Sequence, residues 1–437
     1  MINTSTLELE EFLSSVPPYA ILSHTWGDHE VTLAEMPMIH SQTSNADKFD
    51  KIRNACAEAA CIGLRYCWVD TCCIDKTSSA ELSEAINSMF EWYRRSTVCF
   101  CLLSDLRPVP SQISDISAIR WFTRGWTLQE LIAPGFLVFF DSSWTARGSI
   151  RLPSSKPRRP NAYKDGESSN CLSGLVSTIT GIPAGVFGSL DVLRTTPALE
   201  VMSWASTRIT TRTEDYAYCL LGLLDVNMPL LYGEGTRAFS RLQEEVLTRK
   251  GDLSLLAWTP SGPLAGYLGA LAPSPIAFAW CKGHRVSQRA RHNAEVNITN
   301  RGIRLHGGLQ LQHDMLHADG RASSCYFFDL KLEVLAYETT QMMTFDDVRT
   351  QLEEINVLTG IYLRKYGPAL FYRDAERLAT LSVRRNLVAW LSHGASEEAK
   401  PFYLAADATI DQVARITHSQ TVCCKRLDSW SKTQRQS

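Results

Sequence analysis

Thr97-Val98-Cys99-Phe100-Cys101-Leu102-Leu103 is an uncharged, continuously apolar run rich in β-forming residues. Such a run, with no polar alternation, is the mark of a central strand buried on both faces, and both faces are covered when crossover helices pack above and below a parallel sheet. The flanking sequence fits that reading. Upstream, Ser78 and Glu81 stand at capping-box spacing, and Leu82, Ala85, Ile86, Met89, Phe90 and Tyr93 follow as an unbroken helical stripe. Further back, Arg65-Tyr66-Cys67-Trp68-Val69-Asp70 reads as a strand. Asp47 to Cys61 has the apolar spacing of a helix closed by Gly63, and Tyr19-Ala20-Ile21-Leu22-Ser23-His24 is a strand ending in the turn Thr25-Trp26-Gly27-Asp28.

Downstream, Arg124-Gly125-Trp126-Thr127-Leu128-Gln129-Glu130 reads as a helix, and Phe136-Leu137-Val138-Phe139-Phe140 as a fourth strand closed by Asp141. Strands alternating with helices predict an α/β unit with a parallel sheet flanked by helices and right-handed crossovers. Ligands in such sheets sit beyond the carboxyl ends of the strands. The segments there are Ser23 to Asp28, Asp70 to Lys76, Ser104 to Leu106 and Asp141 to Trp144, where most of the short polar and acidic residues collect.

The remaining chain changes character twice. Arg147 to Gly166 is basic and proline-rich without apolar period, which predicts a mobile surface insertion. Helical spacing returns at Leu172 to Ile179, Pro197 to Thr207, Glu214 to Leu224 and Arg237 to Leu247. From Asp252 onward, alternating segments such as Gly302-Ile303-Arg304-Leu305 and Tyr326-Phe327-Phe328-Asp329-Leu330 predict strands. The expected division is an N-terminal segment over 1–18, an α/β domain over 19–145, a basic insertion over 146–170, a helical extension over 171–250 and a β-rich domain over 251–437.

Bulk properties narrow the function. The 437 residues, 45% hydrophobic and 21% charged, suit a soluble protein with a sizeable core. A net charge of −2 argues against nucleic acid as partner. Thirteen cysteines, an odd number with several inside strand-like runs, point to a reducing cytoplasm and not to a disulfide framework. Met1 to Ser15 lacks the basic and apolar regions of a signal peptide. Leu253 to Trp280 is uncharged but carries four prolines, so it predicts buried strands and turns, with no membrane span. His24, His29, Cys72 and Cys73 do not have zinc-ligand spacing, and no metal is expected.

Trp126 and Glu130 are four apart and share a helix face, beside the core stripe of Leu128, Leu131 and Ile132. Two readings stand for Glu130: a packed ion pair with a neighbouring arginine, or the acid of a site. Asp70 and Asp75 divide in the same way between turn caps and site residues.

Three blocks resemble the signature of the fungal heterokaryon incompatibility (HET) domain: Leu22-Ser23-His24-Thr25-Trp26-Gly27, Trp68-Val69-Asp70-Thr71-Cys72-Cys73-Ile74-Asp75, and Arg124 to Glu130. Met202-Ser203-Trp204-Ala205, Glu214 to Gly222 and Met228 to Gly235 are similar to the segment that commonly follows it. The resemblance covers roughly residues 19 to 250. It implies an effector of vegetative incompatibility, a non-self recognition that ends in cell death, with an incompatibility partner protein that the sequence does not name. Many members of that family carry a nucleotide-binding oligomerisation module; no Gly-x-x-x-x-Gly-Lys-Ser/Thr loop occurs in these residues.

The order of strands and helices, ending in a Trp-x-x-x-Glu helix, is also similar to TIR domains, and so implies a TIR-like, flavodoxin-like sheet. Some TIR domains cleave NAD with a glutamate four residues after a tryptophan; the matching acid is Glu130 and the matching ring Trp126, with Thr127 where a cysteine is usual. On this resemblance NAD is a candidate substrate, and no bound cofactor is required. Ser23, Asp70 and Asp75 fall at the strand ends, Trp26 or Trp68 would stack on a flat ring, and Arg124 would fork onto a phosphate. The alternative implied by other TIR-like domains is a non-enzymatic module that signals by homotypic self-association.

Overall fold

The computed structural model describes residues 1–12, 14–40, 46–108, 118–151, 171–260, 267–288, 295–300, 302–306, 309–316, 322–335, 357–367, 370–382 and 401–404. They fall into two compact units, Met1–Glu245 with Ser274–Gly283, and Val246–Pro273 with His284–Ser437.

The first unit is built on a six-stranded sheet. Its strands are β1 (Ile2–Asn3), β2 (Ala20–His24), β3 (Tyr66–Val69), β4 (Val98–Leu102), β5 (Phe136–Phe140) and β6 (Ala146–Arg151), in the spatial order β1-β3-β2-β4-β5-β6. The four inner strands are parallel, with Ile21 opposite Trp68 and Cys99, and Cys99 opposite Leu137. All of their residues are buried, as the unbroken apolar runs require. Counted among themselves, these four run 2-1-3-4 across the sheet, the doubly wound order of flavodoxin-like folds.

The expected parallel sheet flanked by helices is present as this inner core, and an antiparallel strand at each edge makes the sheet as a whole mixed. β1 pairs antiparallel with β3, and Ile2 is fully buried in the core. β6 pairs antiparallel with β5, so the first residues of the expected basic insertion form an edge strand; residues 152–170 lie outside the described ones. Arginines suit that position. Arg147 reaches Asp141 at 3.6 Å, and Arg151 lies over the Phe136 ring at 4.3 Å; beyond them the strand pairs only through a single bridge from Ser149 to Cys171 among the described residues.

Side-chain alternation sorts the inner strands between two layers. Ala20, Leu22, Cys67, Val69, Val98, Phe100, Val138 and Phe140 join Ile52, Ala55, Cys56 and Ala59 of α1 (Asp50–Cys61) in one core. Gly63, at φ 79°, follows the helix as expected. The opposite face meets α2 (Ser79–Arg95) and α3 (Thr127–Ile132). Ser78 caps α2 by accepting from the Glu81 amide at 3.3 Å, while the Glu81 carboxylate reaches past it to the Asp75 amide at 2.8 Å. α3 is a short helix whose residues are all buried, in place of a longer one-faced helix.

The helical segment comprises α4 (Ser173–Thr180), α5 (Leu190–Thr195), α6 (Ala198–Ala205), α7 (Asp215–Tyr218) and α8 (Arg237–Lys250). The helix expected over Glu214 to Leu224 keeps only α7, then tightens: the Leu220 and Leu221 amides bond three residues back, and Asp225 ends the run at φ 52°. The uncharged Leu253 to Trp280 stretch also differs from its expectation. It holds 3-10 helices at Leu253–Leu256 and Pro275–Cys281 around the short strand β7 (Tyr267–Leu268). Pro275 opens its helix, where a missing N–H leaves no bond unmade.

The second unit has the expected β-rich character. Among the described residues a nine-stranded sheet follows the path β11 (Leu309–Leu316), β12 (Ala322–Leu335), β13 (Val357–Gly367), β14 (Leu370–Ser382), β15 (Pro401–Leu404), β10 (Gly302–His306) and β9 (Asn297–Thr299). β7 adds to β14, and β8 (Arg285–Gln288) to β12. No helix among the described residues is long and apolar enough to cross a membrane.

Gly222 shows how closely the helical segment seats on α2. A Cβ there would lie 2.1 Å from Cβ and 2.6 Å from Cγ of Phe90. Gly222→Ala should therefore lower stability by roughly 1–3 kcal/mol, the usual range for overpacking, read as a lower denaturant midpoint. An unchanged midpoint would show that this approach is looser than described.

Candidate functional site

Period-two alternation turns Ser23 toward the layer of α2 and α3, opposite to Leu22. There its hydroxyl donates to Oε2 of Glu130 at 2.5 Å and accepts from the indole N–H of Trp121 at 2.8 Å. Ser23 and Trp121 are fully buried and Glu130 is 7% exposed. The Tyr93 hydroxyl lies beside this group and donates to the Leu22 carbonyl at 3.1 Å. Burial pushes the Glu130 carboxyl up to about 8, with the negative charge of Asp70 adding to it; the hydrogen bonds from Ser23 and Tyr93 and the charge of Arg208 oppose the rise.

Glu130 lines a cavity of about 350 Å³ beyond the carboxyl ends of β2 and β3. Of the strand-end segments, Ser23 to Asp28 and Asp70 to Lys76 contribute to it; Ser104 to Leu106 and Asp141 to Trp144 do not. Trp26 stands at 45% exposure, its indole N–H donating to Asp70 at 2.8 Å and the Lys76 ammonium 3.7 Å from its ring centre. Buried His24 is held between two acids, with Nε2 3.3 Å from Glu30 and Nδ1 3.9 Å from Asp70. Its Nδ1 has no hydrogen-bond partner. Glu30 is lowered to about 2, because His24, Lys51 and the Gly27 amide outweigh its partial burial.

The other wall comes from the helical segment. Ile209 pairs with Arg124: the Gly125 amide donates to the Ile209 carbonyl at 3.0 Å and the Ile209 amide to the Thr123 carbonyl at 2.6 Å. That short ladder brings Thr211, Arg212, Asp215 and Tyr232 into the lining. The Tyr232 hydroxyl donates to Asp215 at 3.0 Å, and the Arg212 guanidinium lies 4.5 Å from the Tyr232 ring centre. Burial raises the Asp215 carboxyl against the pull of Tyr232, Trp126 and Arg212.

The candidates taken from the sequence thus divide. Trp26, Asp70, Arg124, Trp126 and Glu130 line one cavity, with Ser23 directly behind Glu130. Trp68 is outside the lining; it packs edge-on against Trp92 and Tyr93 and serves the core. Asp75 is outside it too, accepting from the Thr77 amide at 2.8 Å and the Thr77 hydroxyl at 2.6 Å to close the turn before α2. Arg124 forms no ion pair with Glu130; its guanidinium donates to the Thr211 hydroxyl at 3.3 Å. Sequence reasoning passed over His24, Lys76, Arg212, Asp215 and Tyr232 as cavity residues. Their one signal was position, since His24 and Lys76 lie in the strand-end segments, Asp215 in the block from Glu214 and Tyr232 in that from Met228; Arg212 lies in none of these.

The cavity is amphipathic. Ile74, Leu82, Ile86 and Met89 offer an apolar side, while three carboxylates and three cations ring the rest. Among the described residues no group of three His, Cys, Asp or Glu side chains could hold a metal ion.

The raised Glu130 carboxyl has a consequence for stability. Its ordinary value is 4.5 and its folded value about 8, so between those pH values the folded chain holds a proton that the unfolded chain releases. The contribution is fully present below about pH 4.5 and lost as pH rises through about 8. Glu130→Gln keeps the neutral shape and removes this slope. The variant should match the wild type near pH 5 and exceed it near pH 9 by an amount on the order of a few kcal/mol, measured as melting temperature against pH. Parallel curves for the two proteins would show that Glu130 ionises normally.

Residues 19–109 match the family model described as heterokaryon incompatibility protein (HET). The chain is 39% identical over 257 residues to the vegetative incompatibility protein HET-E-1 of Podospora anserina, an alignment covering 56% of this chain and 17% of that protein. The chain therefore spans only a small part of that relative's length. No solved structure matches it. The matched region contains β2, α1, β3, α2 and β4, and the chain carries a heterokaryon incompatibility domain.

Proposed function

We propose that this chain acts in fungal vegetative incompatibility as an effector of cell death, and that its α/β unit hydrolyses the nicotinamide–ribose bond of NAD with Glu130 as the catalytic carboxylate. The similarity to a vegetative incompatibility protein supports the first part. The observation that carries the second is a buried carboxyl with a raised protonation point, anchored by Ser23 and opening on an amphipathic cavity. Raised carboxyls that combine burial with a specific partner in a cleft favour function over packing.

The chemistry needs little more. Cleavage of a nicotinamide–ribose bond passes through an oxocarbenium-like state, and a carboxylate beside the sugar stabilises the charge that develops. Nicotinamide is positively charged while bonded and leaves neutral, so no proton donor is required; water then bonds to the ribose carbon and its proton passes to solvent. The positive charge of bonded nicotinamide entering the cavity would itself favour ionised Glu130. Ser23 is the positioning residue: its hydrogen bond keeps one carboxylate oxygen directed inward and lowers the cost of ionisation. Trp26 and the apolar side suit a flat ring, and Arg124 with Arg212 suits the pyrophosphate.

Purified protein incubated with NAD should release nicotinamide, with kcat/KM rising with pH and levelling above about 8 as Glu130 ionises. Glu130→Gln should reduce turnover by about 10²–10³-fold, the range for loss of one transition-state electrostatic contact. Equal turnover by a folded Glu130→Gln protein would overturn the assignment. Toxicity on induced expression with cellular NAD unchanged would favour signalling by self-association instead.

A further inference from the structure

A second hollow, sharing no lining residue with the Glu130 cavity, has a volume of about 200 Å³ and is lined by Phe122, Thr123, Ile179, Thr180, Trp204, Thr207, Arg208 and Lys282. Its composition is unlike that of the first. It contains two cations and three hydroxyls and no carboxylate. Arg208 is 4% exposed. Its Nη1 donates to the Arg124 carbonyl at 2.7 Å and to the Thr127 hydroxyl at 2.9 Å. Lys282 donates to the Thr207 hydroxyl at 2.9 Å. Among the described residues neither cation forms an ion pair.

A buried guanidinium in no ion pair, with Cys219 and Glu130 acting on it only through longer-range charge, is costly, and a second cation lining the same hollow adds to that cost. Burial lowers the protonation point of both groups, and the charge of Arg208 lowers that of Lys282 further. The natural remedy is an anion. A fork of N–H donors, an ammonium and neighbouring hydroxyls match the oxygens of a tetrahedral oxyanion.

We propose that this hollow binds a tetrahedral oxyanion of the phosphate class, held between the Arg208 guanidinium and the Lys282 ammonium. The site is separate from the Glu130 cavity and does not rest on the catalytic reading. Arg208 nevertheless joins the two, because it holds the Thr127 hydroxyl, which in turn donates to the Trp121 and Arg124 carbonyls in the turn that starts α3. Neutralising Arg208 would also remove a positive charge that favours ionised Glu130.

Thermal melts in inorganic phosphate against chloride at constant ionic strength test the proposal directly. The wild type should show a saturable rise in melting temperature with phosphate. Lys282→Met should lose it and Lys282→Arg should keep it. Arg212→Met, in the Glu130 cavity, should also keep it, which separates the two cationic regions. A small phosphomonoester such as glycerol phosphate distinguishes sources: a rise equal to that from inorganic phosphate indicates room for an esterified group, and a rise with inorganic phosphate alone indicates the free ion. No saturable rise in the wild type overturns the proposal. So does a full rise in Lys282→Met, or a rise abolished by Arg212→Met.

Discussion

The hydrogen bond from Ser23 to Glu130 joins the centre of the sheet to the six-residue helix α3. Ser23 sits at the carboxyl end of an inner strand, where alternation leaves it no choice of layer, and Trp121 holds its hydroxyl from the other side. Glu130 can be buried there only because its carboxyl is met by a donor; without one, so buried a group would cost several kcal/mol or displace the helix. α3 is too short to hold its place by its own backbone bonds, and its fully buried residues depend on this anchor and on the packing around it.

A second constraint is the close approach of the helical segment to that same turn. Gly125 lies against Ile209 and Thr210, and a Cβ on it would fall 2.5 Å from the Thr210 methyl. Gly222 meets Phe90 of α2 in the same way. These two close approaches bring the segment beyond the sheet against the α2 and α3 layer, where it forms one wall of the cavity. The matched family region ends at residue 109, before α3, so the acid and the far wall both lie outside it. The cavity is therefore shared between the matched domain and the chain that follows it.

The placement of charge follows from these two constraints. The buried arginine Arg208 lines the second hollow while its donors brace the start of α3. Asp70, Asp215 and Glu130 line one volume, and Asp70 acts on Glu130, only because folding brings three separate segments together. Of the three, Glu130 and Asp215 are raised by burial, and the charge of Asp70 adds to the rise at Glu130. Arg208 and Lys282 are shifted the opposite way by the same physical cause.

Local pattern was enough for the parallel core. Unbroken apolar runs such as Val98–Leu102 are stable only when covered on both faces, and the stripe from Ala85 to Tyr93 can only be a helix packed on that sheet. The motif blocks also placed Trp26, Asp70, Trp126 and Glu130 at one end of it. Trp68 and Asp75 look no different in sequence, yet one turns into the core and the other closes a turn, because side-chain direction depends on register and on hydrogen bonds made locally. β6 escaped notice because an edge strand with one large buried residue, Ile150, reads as a basic loop. Arg208, Arg212, Asp215 and Tyr232 are more than seventy-five residues from the start of α3 along the chain. Their membership in either cavity is a property of tertiary contact alone, which no local periodicity encodes.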